Sequence, residues 1–151
     1  SFFHESSDKK EKHIASMIQP LLDVGLGYLR AGQASSTLSG GEAQRIKLAS
    51  FLAKGNNQAP TLFLFDEPST GLHYYDIEKL LQSLQALIAN GHSIVVIEHN
   101  LDIIKTADHV IDIGPEGGEG GGKIVFTGTP EELVNQTDNY TGIALAEKGL
   151  N

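Results

Sequence analysis

The apolar run Thr61–Phe65 (TLFLF) ends in Asp66-Glu67-Pro68. An aspartate leaving a buried strand at a sheet edge can hold Mg²⁺ through water. A neighbouring glutamate can orient a water and deprotonate it for attack on phosphorus. Apolar runs that end in acidic turn residues are also common without any ligand. The second group is Leu38-Ser39-Gly40-Gly41-Glu42-Ala43-Gln44-Arg45. Two glycines at a helix start leave backbone N–H groups bare of side chains. With the Ser39 hydroxyl and the positive end of the helix dipole they make an anion site suited to a terminal phosphate. The same S-x-x-E spacing is a capping box, which needs no ligand, and one arrangement can serve both purposes. The third residue is His99, just past the apolar run Ser93–Ile97. A neutral imidazole there could contact a γ-phosphate, although a lone histidine after a strand is usually structural or solvated.

A fourth pattern is a decoy. Gly117 to Lys123 spells G-x-x-x-x-G-K, but Ile124 stands where a P-loop needs Ser or Thr. The residues that follow, KIVFTG, read as a strand, whereas a P-loop opens a helix. Glu119 would also set a carboxylate against phosphate. The segment Gly117–Gly122 is therefore read as a flexible turn between strands.

The chain that must position these groups has 151 residues, 40% of them hydrophobic and 20% charged, with a net charge of −8. That composition fits one ordinary globular domain and argues against intrinsic disorder. The acidic balance argues against a nucleic-acid binder working by bulk charge. With no cysteine, a disulfide scaffold, a thiolate zinc site and a cysteine nucleophile are excluded within these residues. No apolar run approaches the roughly 18 residues that span a membrane, and the first residues lack the apolar core of a secretory signal. The expectation is a soluble, cytoplasmic chain, cut from something longer.

Residues 1–13 are polar. Lys9, Lys10 and Lys12 read as a solvated lead-in rather than a phosphate patch. Ile14, Met17, Ile18, Leu21 and Leu22 recur at helical spacing and are expected to face the core, with Pro20 kinking or dividing the helix and Gly25 and Gly27 ending it. Residues 31–37 read as loop. A second helix opens at Ser39, presents Ala43, Ile46, Ala49 and Ala53 on one face, and stops at Gly55. Thr61–Phe65 and Ser93–Ile97 read as strands buried on both faces, flanking a helix over Asp76–Asn90. A short helix at Leu101–Thr106, strands at His109–Ile113 and Lys123–Thr127, and a last helix capped by Thr129 with Pro130 in its first turn complete the reading. Strands alternating with helices predict an α/β layer around a mainly parallel sheet, with ligands at the carboxyl ends of the strands.

LSGGEAQR, then TLFLFDEP with Ser69-Thr70-Gly71-Leu72-His73, then VVIEHN resembles in order and spacing the ATP-binding cassette (ABC) family: its signature, its Walker B strand with D-loop, and its switch histidine. LLDVGLGYLRAGQASSTLSGGEAQRIKLAS, DEPSTGLH and VIDIGPEGGEGGGKIVFTGTPEEL extend the resemblance to the UvrA family, the damage-recognition ATPases of bacterial nucleotide excision repair. It covers nearly the whole chain. Ile111–Thr129 distinguishes it from transporter cassettes, which lack such a glycine-rich segment.

The resemblance implies a three-layer P-loop NTPase-like fold and an ATPase acting on Mg²⁺-bound ATP. Asp66 would support Mg²⁺ through water, and Glu67 would be the general base. Ser39, Gly40, Gly41, Glu42 and Gln44 would belong to the signature that meets a nucleotide held by a partner cassette, and His99 would sense the γ-phosphate. Ser69–His73 would couple the two sites. Implied partners are damaged duplex DNA, a second UvrA copy, UvrB and the other cassette of the same chain, with no membrane. The family's zinc would belong to the parent alone, since its cysteines are absent here. No G-x-x-x-x-G-K-[ST] precedes the signature, so residues 1–151 are expected to form part of a second cassette: a helical lead-in over 8–34, a signature helix over 38–54, and a Walker B to C-terminal portion over 61–151. Such a fragment is expected to be inactive alone. Lacking the P-loop strand, it should re-pair Ser93–Ile97 with His109–Ile113 or cover both edges with another copy of itself. The competing readings are a transporter nucleotide-binding domain and a non-catalytic dimerisation module.

Overall fold

The computed structural model describes residues 9–53, 59–115 and 121–149. The polar start of the lead-in (1–8), the helix stop expected at Gly55, and positions 117–120 of the expected glycine-rich turn lie outside the described residues. The chain divides into two compact units, Ser1–Glu98 and His99–Asn151.

The first unit begins with α1 (Lys9–Asp23), which runs through Pro20 without being divided. It ends where Gly25 takes a φ of +75°, a turn closed by the Leu26 N–H on the Leu21 carbonyl at 2.9 Å. A 3₁₀ turn (Ser35–Thr37) leads to α2 (Gly40–Leu52). Then come β1 (Leu62–Asp66), α3 (Tyr74–Ala89) and β2 (Ser93–Ile97). Helix α1 packs on α2 and α3, and α3 packs on β2. Ile77, Leu80, Leu84 and Leu87 recur every third or fourth position of α3 and are buried with Val24, Leu26 and Leu48.

Strands β1 and β2 are parallel, in a register that sets Leu64 beside Val95 and Asp66 beside Ile97. On one face Phe63 packs edge-on against Phe51 (centroids 4.6 Å apart) and His92 (5.6 Å), and Phe65 is buried. The other face is bare: Leu64 is 72% exposed and Ile97 64%, with Leu62 and Val95 also exposed. The expectation of strands buried on both faces is thus corrected. The apolar run records a face built to be covered, but no described layer of this chain covers it. The core stripe expected on α1 is corrected for the same reason. Ala15 is its buried residue, whereas Met17 is 66% exposed and Ile14 and Ile18 are also exposed. On α2 the buried residues are Gly41, Arg45, Leu48 and Ala49, so of the expected Ala43-Ile46-Ala49-Ala53 line Ala49 is buried and the buried face is rotated away from Ala43 and Ile46.

The second unit contains α4 (Leu101–Ile104), β3 (Val110–Gly114), β4 (Lys123–Gly128), α5 (Pro130–Leu133) and α6 (Tyr140–Glu147). Strands β3 and β4 pair antiparallel, with a register shift between Asp112 and Ile113. The mainly parallel sheet expected from the alternation of elements is therefore two separate pairs among the described residues, one parallel and one antiparallel. The connection 115–122 is too short for a crossover of the dozen or more residues that a parallel neighbour demands. Strands β2 and β3 do not re-pair with each other: each has its described partner within its own unit. Among the described residues no helix is long and apolar enough to cross a membrane.

Ile103, Pro130, Leu133 and Leu145 are buried in this unit. Thr129 and Glu132 form a capping box at α5. Helix α6 was not expected. It is capped by the Asn139 side chain, which accepts from the Gly142 N–H at 2.8 Å, and its arrival against α5 depends on Gly142. A Cβ there would lie 2.3 Å from the Leu133 carbonyl oxygen. Gly142→Ala is expected to lower the unit's unfolding free energy by about 1–3 kcal/mol, read from denaturant midpoints. Buried Asp102 accepts from Lys105 (2.7 Å) and Lys148 (2.5 Å), and these bonds hold its carboxyl below the usual carboxylate range. Because the folded carboxyl is the stronger acid, its stabilisation is complete above about pH 4 and is lost as pH falls through the depressed value. Asp102→Asn should flatten the acid limb of a pH series of melting temperatures. An equally steep limb in the variant would count against this pairing.

Candidate functional site

Ser39 is the N-cap of the 13-residue α2, with φ −69° and ψ 163°. Its hydroxyl accepts from the Glu42 N–H at 3.2 Å, and the Glu42 carboxylate accepts from the Ser39 N–H at 2.7 Å. The other Glu42 oxygen accepts from the Tyr28 hydroxyl at 2.6 Å. That bond first, and the Ser39 N–H second, hold the Glu42 carboxyl below its ordinary value. The helix tip is thus a cap closed by a charged side chain, and its next two residues carry no side chains.

Asp66 is the last residue of β1 and Glu67 the first beyond it, so both lie at the carboxyl end of the parallel pair. Glu67 has a φ of +45°, a left-handed backbone uncommon outside glycine. The turn that holds it is heavily bonded. Glu67 N–H donates to the Ile97 carbonyl at 2.8 Å, Thr70 N–H to the Glu67 carbonyl at 3.1 Å, and the Thr70 hydroxyl to the Glu67 carboxylate at 3.3 Å. The Glu98 carboxylate accepts from the Ser69 N–H at 2.8 Å.

Helix α2 grips this turn from the other side. Arg45 is fully buried. One guanidinium nitrogen donates to the Pro68 and Thr70 carbonyls, and the other donates to the Tyr28 hydroxyl at 3.4 Å. The Gln44 amide nitrogen donates to the Asp66 carbonyl at 2.9 Å, and its oxygen accepts from the Asp66 N–H at 3.0 Å. Gly41 sits where a Cβ would lie 3.3 Å from both the Arg45 guanidinium and the Glu67 carbonyl. Gly40 faces open space.

Gly40, Gly41, Gln44, Asp66, Glu67 and Thr70 line one open recess of about 380 Å³. The sequence reading assigned the helix tip and the acidic edge to different nucleotide pockets. Within this unit they are neighbours on a common surface. That surface brings the two glycines of the helix tip to the same recess as Asp66 and Glu67. Among the described residues no three His, Asp or Glu side chains cluster to hold a metal by themselves. The Asp66 carboxylate fits a Mg²⁺ held through water that takes its other ligands from phosphate and solvent. His99 is exposed and opens the second unit, directly before Asn100, whose side chain caps α4. Tyr28, Arg45 and Glu98 were missed as site residues. For Arg45 a signal was available: it falls on the same helical face as Gly41, Leu48 and Ala49.

The class follows from the fold. A bacterial Atm1-family ABC exporter with ATP bound has the same fold at a TM-score of 0.57 and 19% identity, covering 99% of this chain and 25% of that one. The crystal structure of UvrA2 from Deinococcus radiodurans agrees more closely, at a TM-score of 0.81 and 40% identity over 96% of this chain and 18% of that one. UvrABC system protein A of Agrobacterium fabrum is 58% identical over 134 residues, which are 89% of this chain and 14% of the relative. The Halalkalibacterium halodurans protein of the same name is 59% identical over 129 residues, 85% of this chain and 13% of the relative. No family model matches the chain. Over the matched residues the chain is similar to part of the UvrA-family proteins, and it spans about one seventh of the length of the curated relatives it matches.

The two glycines separate fold from ligand. Gly41→Ala should lower stability by about 1–3 kcal/mol, because the methyl meets a turn that cannot retreat. Gly40→Ala should leave the denaturation midpoint unchanged or slightly raised.

Proposed function

We propose that this chain supplies the signature helix and the acidic strand edge of an ATP-hydrolysing cassette in a UvrA-type protein of bacterial nucleotide excision repair. The observation that carries the proposal is that one unit presents both a bare glycine helix tip and, at the carboxyl end of its parallel strand pair, Asp66 and Glu67. The 58% identity to a UvrABC system protein A over 89% of this chain supports the same reading.

In this reading Asp66 would hold Mg²⁺ through water, and the chemistry such an ion would supply is neutralisation of phosphate charge. Glu67 accepts a proton from the attacking water, held in place by a turn that is bonded on both sides. The N–H groups of the helix tip and the Ser39 hydroxyl bind the γ-phosphate of a nucleotide whose β- and γ-phosphates are cradled by a partner cassette, with Glu42 fixing the tip. His99 is the γ-phosphate sensor. ATP is the nucleotide. Closure of the two cassettes around it, released on hydrolysis, drives damaged duplex DNA recognition together with a second UvrA copy and UvrB in the cytoplasm. Zinc belongs to other parts of such a protein.

The bare faces of the β1–β2 pair and of α1 favour a second description for the chain by itself: a docking module without turnover. Titration of the chain with ATP and Mg²⁺ is expected to give no affinity tighter than millimolar, because a P-loop normally supplies most phosphate contacts. Micromolar binding would overturn that description. In a complete UvrA-family protein containing this segment, Glu67→Gln should leave nucleotide binding intact and suppress turnover at this site by about 100-fold or more. Unchanged single-site hydrolysis would remove Glu67 from the role of base.

A further inference from the structure

We infer that Gln44 is a positioning residue for the acidic edge, acting on Asp66 and Glu67 through the backbone and not as a nucleotide contact. The inference rests on the hydrolytic reading of Asp66 and Glu67 and deepens it. Its basis is geometric. A primary amide has one donor group and one acceptor, arranged as in a peptide. Gln44 sets its donor on the Asp66 carbonyl at 2.9 Å and its acceptor on the Asp66 N–H at 3.0 Å, across 22 residues of sequence. Both ends of the amide are therefore engaged with the main chain of the very residue that ends β1.

Asp66 is held from two directions. On the far side, β2 bonds the next residue, as the Glu67 N–H donates to the Ile97 carbonyl at 2.8 Å. On the near side, α2 bonds Asp66 itself. The left-handed backbone of Glu67 begins immediately after this clamp. Arg45, adjacent on the helix, holds the Pro68 and Thr70 carbonyls that follow. Consecutive side chains of α2 thus fix residues on either side of Glu67, and its carboxylate inherits its aim from them. Because the same helix begins at the Ser39-Gly40-Gly41 tip, a displacement of the tip is passed to the carboxylates through Gln44. A misplacement of reacting groups by an ångström can cost about 100-fold in rate, so this clamp bears on the chemical step.

The test uses a complete UvrA-family protein containing this segment. Gln44→Met keeps the length of the side chain and removes both hydrogen bonds. Its kcat for ATP should fall about 10- to 100-fold, the range found when groups that orient ligating side chains are removed, while KM stays within about twofold. A direct nucleotide contact would instead raise KM at unchanged kcat, and that result, or wild-type kcat and KM together, overturns the inference. Melting temperature is measured alongside. If Gln44→Met melts early, Gln44→Glu, which retains the acceptor for the Asp66 N–H, is read by the same kcat and KM criteria. Glu67→Gln is run in parallel. If that variant turns over at the wild-type rate, the acidic edge has no hydrolytic role and the inference about Gln44 falls with it. If Glu67→Gln is inactive and Gln44→Met is normal, the inference about Gln44 alone is wrong.

Discussion

A buried guanidinium is the constraint on which the first unit turns. Burying a charge is costly unless it is hydrogen-bonded, and the two terminal nitrogens of Arg45 draw in the Pro68 and Thr70 carbonyls and the Tyr28 hydroxyl, while its Nε has no hydrogen-bond partner among the described residues. Those carbonyls belong to a tight turn after a strand, a place where main-chain acceptors are otherwise left to water. By taking them, Arg45 fixes the distance between α2 and the end of β1. Gly41 is then the residue that permits so small a distance, and Glu42, bonded to both Ser39 and Tyr28, ties the helix cap to the same network.

Local chemistry was legible in the residues. The Ser39–Glu42 and Thr129–Glu132 boxes are completed within four residues, so their spacing alone specifies the helix starts. The strands were also readable to within a residue, since Leu62–Asp66 and Ser93–Ile97 are short apolar runs bounded by turn residues. The positions of Ser39, Asp66 and Glu67 at a helix tip and a strand end followed from those two facts. Helix α6 escaped notice because Gly142 interrupts its apolar spacing. That glycine is required by a close approach to Leu133, which only three-dimensional packing reveals.

Other features depend on what lies across the fold. An apolar run says that a face is meant to be covered without saying what covers it, so Leu64 and Ile97 read as buried and are exposed. An arginine reads as surface charge until the carbonyls that satisfy it are brought near by a chain turn more than 20 residues away. Gln44 carries no sequence signature for its role, since its partner is main chain, which every residue possesses. The antiparallel pairing of β3 and β4 was obscured by the regular alternation of elements, although the shortness of the link between them excludes a crossover.

The Gln44 amide has an effect beyond aim. In a parallel pair the two main-chain groups of one residue point to the same side, and those of Asp66 point away from β2. A side chain that occupies both stands where an adjoining strand would otherwise bond. The outer border of the strand is thereby closed at its last residue by a helix, so a neighbouring chain that lines up along β1 must stop short of the carboxylates. The chemistry-bearing end stays open to small molecules while remaining unavailable as a template for further sheet.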